Sequence, residues 1–173
     1  MKVCGTTKGT GTIAQDTRVV HPFAPVYDGN SRILILGTMP SPVSRENGFY
    51  YGHGQNRFWP VLAAVFSEPI PETTEQKRAL VLRHGIALWD VLYSCRISGA
   101  NDASIKEPVA NDLRIFPNIQ RIYTTGKTAW KLYNDLCFPL TNIPAVCLPS
   151  TSAANRGRWS LEKLIDAYKV IAK

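Results

Sequence analysis

Long hydrophobic runs are missing from this chain. None of its 173 residues lies in a run approaching the roughly 20 apolar residues that a membrane-spanning helix needs, so no transmembrane segment is expected. The opening stretch, MKVCGTTKGTGTIAQD, lacks the hydrophobic region of a secretory signal, and a cytoplasmic chain is expected. Metal-binding patterns are absent too. The cysteines are Cys4, Cys95, Cys137 and Cys147, and no two form a C-x-x-C pair. That argues against a zinc ribbon. Their scatter, with Cys147 in an apolar, strand-like run, argues against an iron–sulfur cluster. Reduced, mostly buried thiols are expected, with no metal and no cofactor. No G-x-G-x-x-G follows the first strand, which puts a Rossmann-like nucleotide-binding reading last. TTGKT misses the Walker pattern because Arg121 stands where its first glycine belongs. Gly126 reads instead as a strand-to-helix turn, with Lys127 and Thr128 opening the helix.

Positive charge, by contrast, is in excess. The formal net charge is +7 and the sequence pI about 9.4. Such a balance favours a polyanionic partner, nucleic acid or an anionic membrane surface. The length suits one domain with a real core. Residues 1–20, rich in Gly and Thr, read as a loose tail, and residues 21–173 as a single domain.

RILILG is a short, apolar, β-branched run stopping at Gly37 and reads as a buried strand. A long loop follows, then the helix PVLAAVF, whose Pro60 suits a first turn. Asn56 falls at or just before that helix start. Thr73 and Gln76 resemble a capping box, and Gly85 a helix-ending residue. IALWDV reads as a second strand, SCRISGANDASIKEP as a polar loop and VANDLRIFPNI as a short helix. RIYTTG, KTAWKLYNDLC and IPAVCLPS read as strand, helix and strand. The last helix aligns Leu161, Leu164, Ile165, Tyr168 and Ala172 on one face. Strands alternating with helices predict an α/β fold with a parallel sheet flanked by helices, whose ligand binds beyond the C-terminal strand ends.

Two loops leave those ends with unusual chemistry. The first contains GFYYGHGQNRFWP, residues 48–60. Tyr50 and Tyr51 read equally as core aromatics or as rings presented to stack on a planar base. His53 has no neighbouring ligand for a metal; it donates a hydrogen bond or caps a turn. Asn56 reads as a helix cap or as a pocket amide that both donates and accepts. The second loop, LPSTSAANRGRW, gathers hydroxyls, amides and two arginines. Ser150, Thr151, Ser152 and Asn155 are turn residues or phosphate contacts, and Arg156 and Arg158 a solvated basic loop or a DNA-backbone contact.

Together, LILGTMPSPVSRENGFYYGHGQNRFWPVLAAVF and LPSTSAANRGRWSLEKL resemble the uracil-DNA glycosylase superfamily, and within it the hypoxanthine-DNA glycosylase (DNA-deoxyinosine glycosylase) branch. The resemblance spans about residues 21–171. It implies a three-layer α/β/α sandwich around a four-stranded parallel sheet. It also implies a metal-free, monomeric enzyme that flips a deaminated base out of damaged DNA and hydrolyses its N-glycosidic bond. Gly37, Thr38, Met39, Pro40 and Tyr51 would then bind the base, Asn56 would hold the attacking water, and His53 would support the leaving base. Ser150, Thr151, Ser152, Asn155, Arg156 and Arg158 would meet DNA.

Departures narrow the substrate. Met39 stands where mismatch-specific relatives carry the Asn of GINP, and the hypoxanthine branch relies instead on the Asn of NRFW, here Asn56. Leu148 stands where efficient uracil enzymes carry a His. Ala153 replaces the Pro of STSPAN. Neither GFYYGHGQNRFWP nor LPSTSAANRGRW carries a carboxylate, so no strong general base is assigned; Asp90 is a candidate for polar support. The rival readings are a uracil or xanthine glycosylase and a lesion-binding module without turnover.

Overall fold

The computed structural model describes residues 17–99 and 101–173. In chain order the elements are β1 (Thr17–Val20), β2 (Ile33–Gly37), α1 (Pro42–Asn47), α2 (Phe58–Phe66), α3 (Thr74–Arg83), β3 (Ile86–Asp90), β4 (Leu92–Ile97) and β5 (Lys106–Ala110). Then follow β6 (Arg121–Thr125), α4 (Lys127–Leu136), α5 (Phe138–Thr141), β7 (Ala145–Leu148) and α6 (Leu161–Tyr168).

The central sheet is parallel, in the order β3-β2-β6-β7. All five residues of β2 are buried, because a parallel strand is covered on both faces. Alternation divides them. Ile33 and Ile35 join the core beneath α2, α3 and α6, with Phe58, Leu62, Val81, Leu164 and Tyr168. Leu34 and Leu36 join the opposite core, with Ala129 and Tyr133 of α4. The result is the expected three-layer α/β/α sandwich. In the last helix, Leu164 and Tyr168 are buried, but Leu161 and Ala172 are exposed and Ile171 takes the inner place.

The local signals hold where they are strong. Thr73 Oγ1 accepts from the Gln76 N–H, and Gln76 Oε1 accepts from the Thr73 N–H, each at 3.2 Å. Such a cap contributes about 1 kcal/mol. Gly85, just past α3, sits at φ 64° with its Cα turned toward the Asn30 carbonyl, so a left-handed turn in a crowded spot favours glycine.

Three expectations need correction. SCRISGANDASIKEP is not a loop: it supplies most of β4 and the start of β5. VANDLRIFPNI is not a helix: it holds the end of β5 and one 3-10 turn at Leu113–Ile115. Nor is the tail loose as far as residue 20, since Thr17–Val20 pairs with β4 in the antiparallel sheet β1-β4-β5. Residues 1–16 lie outside the described residues. The physical reason is shared. Leu92, Ser94, Cys95 and Ile97 turn inward while Tyr93 and Arg96 turn out, and the pairing that fixes them comes from distant segments, such as Val19 opposite Cys95. This small sheet packs on the α4 side of the sandwich through Val19, Leu92, Cys95 and Ile97.

The edges differ. β3 is covered by Val26, which exchanges backbone hydrogen bonds with Leu88 at 2.8 and 3.0 Å. Among the described residues β7 is the open edge, with Val146 and Cys147 exposed. Cys147 therefore departs from the expectation of buried thiols. Cys95 and Cys137 meet it, and burial pushes the Cys137 thiol up to about 11. Cys4 lies outside the described residues.

Candidate active site

From β2 the chain moves to β3 on one side, and from β6 to β7 on the other. Parallel sheets place ligands at such a switch point, beyond the C-terminal strand ends. There the loops enclose a cleft of about 460 Å³. Gly37 to Pro40 line it after β2, Asp90 at the end of β3, Thr125 to Thr128 after β6, and Ser150 after β7.

One wall is built from the first long loop. Part of that loop is the helix α1, which the sequence did not suggest. Ser41 caps it by accepting from the Ser44 N–H at 3.2 Å, Pro42 opens it, and Gly48 at φ 67° ends it. Ser44 Oγ then accepts from the Gly52 N–H (3.1 Å), and Asn47 Nδ2 donates to the Gly52 carbonyl (3.0 Å). This clamp holds Tyr51 in a left-handed conformation, φ 52°, which side chains rarely adopt. The Tyr51 ring lies flat on the fully buried Phe58, centroids 3.7 Å apart, and its hydroxyl bonds to Thr125 Oγ1 at 3.2 Å. Tyr51 also lines the cleft. Burial, and then the charge of Asp90, holds its phenol well above the ordinary value, so it stays a neutral donor. Tyr50 turns inward as a core aromatic, its hydroxyl donating to the Ala24 carbonyl at 3.0 Å.

Asn56 stands just before α2, lining the cleft. Its Oδ1 accepts from the Phe58 N–H at 3.0 Å and from the Thr151 hydroxyl at 2.8 Å. Asn56 thus closes a turn onto Phe58 one residue before Arg57, the N-cap of α2, and lines the pocket. With Oδ1 occupied twice, the atom it can offer a ligand is Nδ2. Buried Arg57 ties the two long loops together. Its N–H donates to the Thr151 carbonyl at 3.1 Å, and its guanidinium donates to the carbonyls of Ser152 and Trp159.

The second wall carries carboxylates. Asp90 Oδ2 lies 2.8 Å from His21 Nε2, and both side chains are buried, 7% and 2% exposed. Its Oδ1 lies over Gly37, where a Cβ would approach within 2.3 Å, so only glycine fits. Asp102, half-buried in the β4–β5 connection, accepts from the Thr38 hydroxyl at 2.9 Å. Burial raises its carboxyl above the usual range, the nearby Asp90 adds to this, and the Thr38 bond partly opposes it. Cations stand at the margins: Arg45, which donates to the Pro40 carbonyl at 3.1 Å, and exposed Lys127.

Most of the expected site residues therefore meet. Gly37, Thr38, Met39, Pro40, Tyr51, Asn56, Ser150, Ser152 and Asn155 line one cleft. Thr151 lies buried behind Asn56. Arg156 and Arg158 are exposed on the same loop but are not part of the lining. His53 does not reach the cleft: it is exposed, and its Nδ1 accepts from the Gln55 N–H at 3.1 Å. There it caps a turn. Leu148 is a core residue. Missed by the sequence were His21 and Asp102, whose segments gave no signal pointing to the cleft, and Arg45, which lies in the first loop but was given no role there.

The arrangement can take a flat, nitrogenous ring. It offers an aromatic face, an amide donor and acceptor carboxyls, with basic side chains outside.

Comparison with known proteins agrees. The sequence model of the uracil DNA glycosylase superfamily matches residues 24–170. Two relatives named hypoxanthine DNA glycosylase, from Methanosarcina barkeri and Methanosarcina acetivorans, are 34% and 33% identical. Each alignment covers 78% of this chain and 87% of the relative. A solution NMR structure of a candidate uracil DNA glycosylase from Methanosarcina acetivorans superposes with a TM-score of 0.73 at 27% identity, covering 87% of this chain and 97% of that one. With its sandwich, its cleft at the switch point and these matches, the chain belongs to the uracil DNA glycosylase superfamily.

Proposed function

We propose that the chain is a monofunctional DNA glycosylase that turns hypoxanthine of deoxyinosine out of damaged DNA and hydrolyses its N-glycosidic bond, leaving an abasic site. It acts as a monomer, without metal or cofactor. The observation that carries the reading is Asn56, clamped at 2.8 and 3.0 Å beside the Tyr51 ring in the cleft. The names of the two relatives support the choice of base.

Arg156, Arg158 and Lys127 gather phosphates. Ser150, Thr151, Ser152 and Asn155 sit where the loop presses on the duplex. Unstacking costs a few kcal/mol and least at a mispaired base, which favours lesions. The extruded ring slides over Tyr51, with Gly37 to Pro40 beneath its edge. Deamination of adenine converts ring N1 from an acceptor to an N–H donor. Asp90 accepts that N–H, whereas the N1 lone pair of adenine would face a carboxylate. As the C1′–N9 bond breaks, its electron pair goes to the base and the sugar becomes cation-like. Asn56 Nδ2 donates to a water and holds it, with a second lone pair directed at C1′. The water adds to C1′ and its proton passes to solvent. Positioning suffices here, because an oxocarbenium-like centre needs little help from a base.

Single-turnover cleavage of DNA containing one deoxyinosine or one deoxyuridine, in EDTA and followed by alkali, tests the reading. Asn56→Ala should lower deoxyinosine cleavage about a hundredfold or more with lesion binding kept. Cleavage of deoxyuridine alone would move the substrate to uracil, whose N3–H offers the same donor. Tight lesion binding with no cleavage would make the chain a recognition module.

A further inference from the structure

His21 is absent from the lining of the cleft, yet it is bonded to the cleft's floor. We infer that His21 is a positioning residue, which fixes the Asp90 carboxylate as the acceptor for the ring N–H that deamination creates. The inference rests on the base-excision reading above.

The geometry supports it from three sides. First, the contact is short and dry: Nε2 to Oδ2 is 2.8 Å, with both side chains buried. A carboxylate only accepts, so Nε2 carries the proton in this bond. Second, the imidazole is itself held. The backbone N–H of His21 donates to the Tyr93 carbonyl at 2.7 Å, directly after β1, which fixes where the side chain departs. Its ring stands edge-on to Phe23 (4.9 Å) and to Trp89 (6.3 Å) and tilted against Tyr50 (6.1 Å). Third, Asp90 has no slack on its other side. Oδ1 is packed over Gly37, and the Asp90 carbonyl accepts from Asn111 Nδ2 at 2.9 Å. With Oδ2 taken by His21, Oδ1 is the atom left for a base edge. A buried carboxylate without such a partner is free to turn away, and a rotated Asp90 no longer separates N1–H from an N1 lone pair.

The test uses the full chain with deoxyinosine DNA under single-turnover conditions. The variants are His21→Phe, which keeps a ring without a donor, His21→Gln, which keeps an N–H, and Asp90→Asn. His21→Phe should slow cleavage about tenfold to a hundredfold, the range set by leaving a buried polar group unpaired. His21→Gln should recover to within about threefold of wild type. In the Asp90→Asn background, His21→Phe should add little, because the two act as one unit. Deoxyinosine against 1-methyl-deoxyinosine, which lacks the N–H, supplies a second readout: His21→Phe should narrow the wild-type preference. Additive losses, or equal slowing on both substrates, would make His21 merely structural and overturn the inference. Should His21→Phe lose its cooperative melt, His21→Gln decides: a rate as low as that of Asp90→Asn overturns the inference, and a recovered rate upholds it. A wild-type chain that leaves deoxyinosine intact would instead remove the base-excision reading, and the inference with it.

Discussion

The wall that carries Tyr51 and Asn56 is framed partly by neighbours in sequence: Ser41 caps Ser44, Ser44 takes the Gly52 N–H, and Asn56 accepts from the Phe58 N–H, before Thr125 and Thr151 tie it to the rest of the cleft. The wall that carries Asp90 and Asp102 is framed by partners far apart. His21 reaches Asp90 across 69 positions, and Thr38 reaches Asp102 across 64. Both walls face the same cleft, but turn and cap chemistry shapes much of the first, whereas the side-chain partners of the second are all distant, one of them directly after β1. A site can therefore be half-written in local signals and half in topology.

The sharpest way to break the second wall without touching its carboxylates is Gly37→Ala. The new Cβ would sit 2.3 Å from Asp90 Oδ1, which cannot retreat while Oδ2 is held by His21. Overpacking of this kind costs about 1–3 kcal/mol, so the melting temperature should fall by several degrees, with a roughly tenfold or larger loss of cleavage. Unchanged melting and unchanged rate would mean that the carboxylate is not pinned.

Asp102→Asn probes the same wall through pH. Burial raises the folded-state value of Asp102, so the native chain binds this proton more tightly than the unfolded chain does. The group's contribution is then greatest in acid, below the ordinary carboxylate value, and is lost as pH rises through the raised value. The amide that replaces it does not titrate and has no such loss. Thermal melts from pH 4 to pH 7 should show the variant gaining on wild type as pH rises, by about 2 °C. A constant offset would sink the assignment.

The smallest effect is expected on the first wall, from His53→Ala. That side chain only accepts from the Gln55 N–H in an exposed turn. Cleavage should stay within about twofold and stability within about 0.5 kcal/mol. A large loss of rate would return His53 to the chemistry.

Legibility followed the same divide. β2, β3, β6 and β7, the Thr73 cap, the Gly85 turn and the Gly126 turn could be read because a run of apolar residues or a cap marks each one locally. The Tyr51–Asn56 stretch stood out as a concentration of rings and amides with no place in plain secondary structure. β4 and β5 could not be read. Ser94, Cys95 and Arg96 have no strand signature alone, and Pro108 inside β5 argues for a loop. His21 was hidden for the same reason: its meaning depends on Asp90, and nothing in a linear reading joins them.

Strand β1 also bears on how the protein can be trimmed. A chain cut back to begin at His21 would retain all four parallel strands and every residue lining the cleft. It would also strip the cover from β4, whose backbone would then present unpaired donors and acceptors to any other strand. Thr17–Val20 thus cover an edge that would otherwise be free to pair with another chain, and shortened versions should be judged by their tendency to aggregate before their activity is compared.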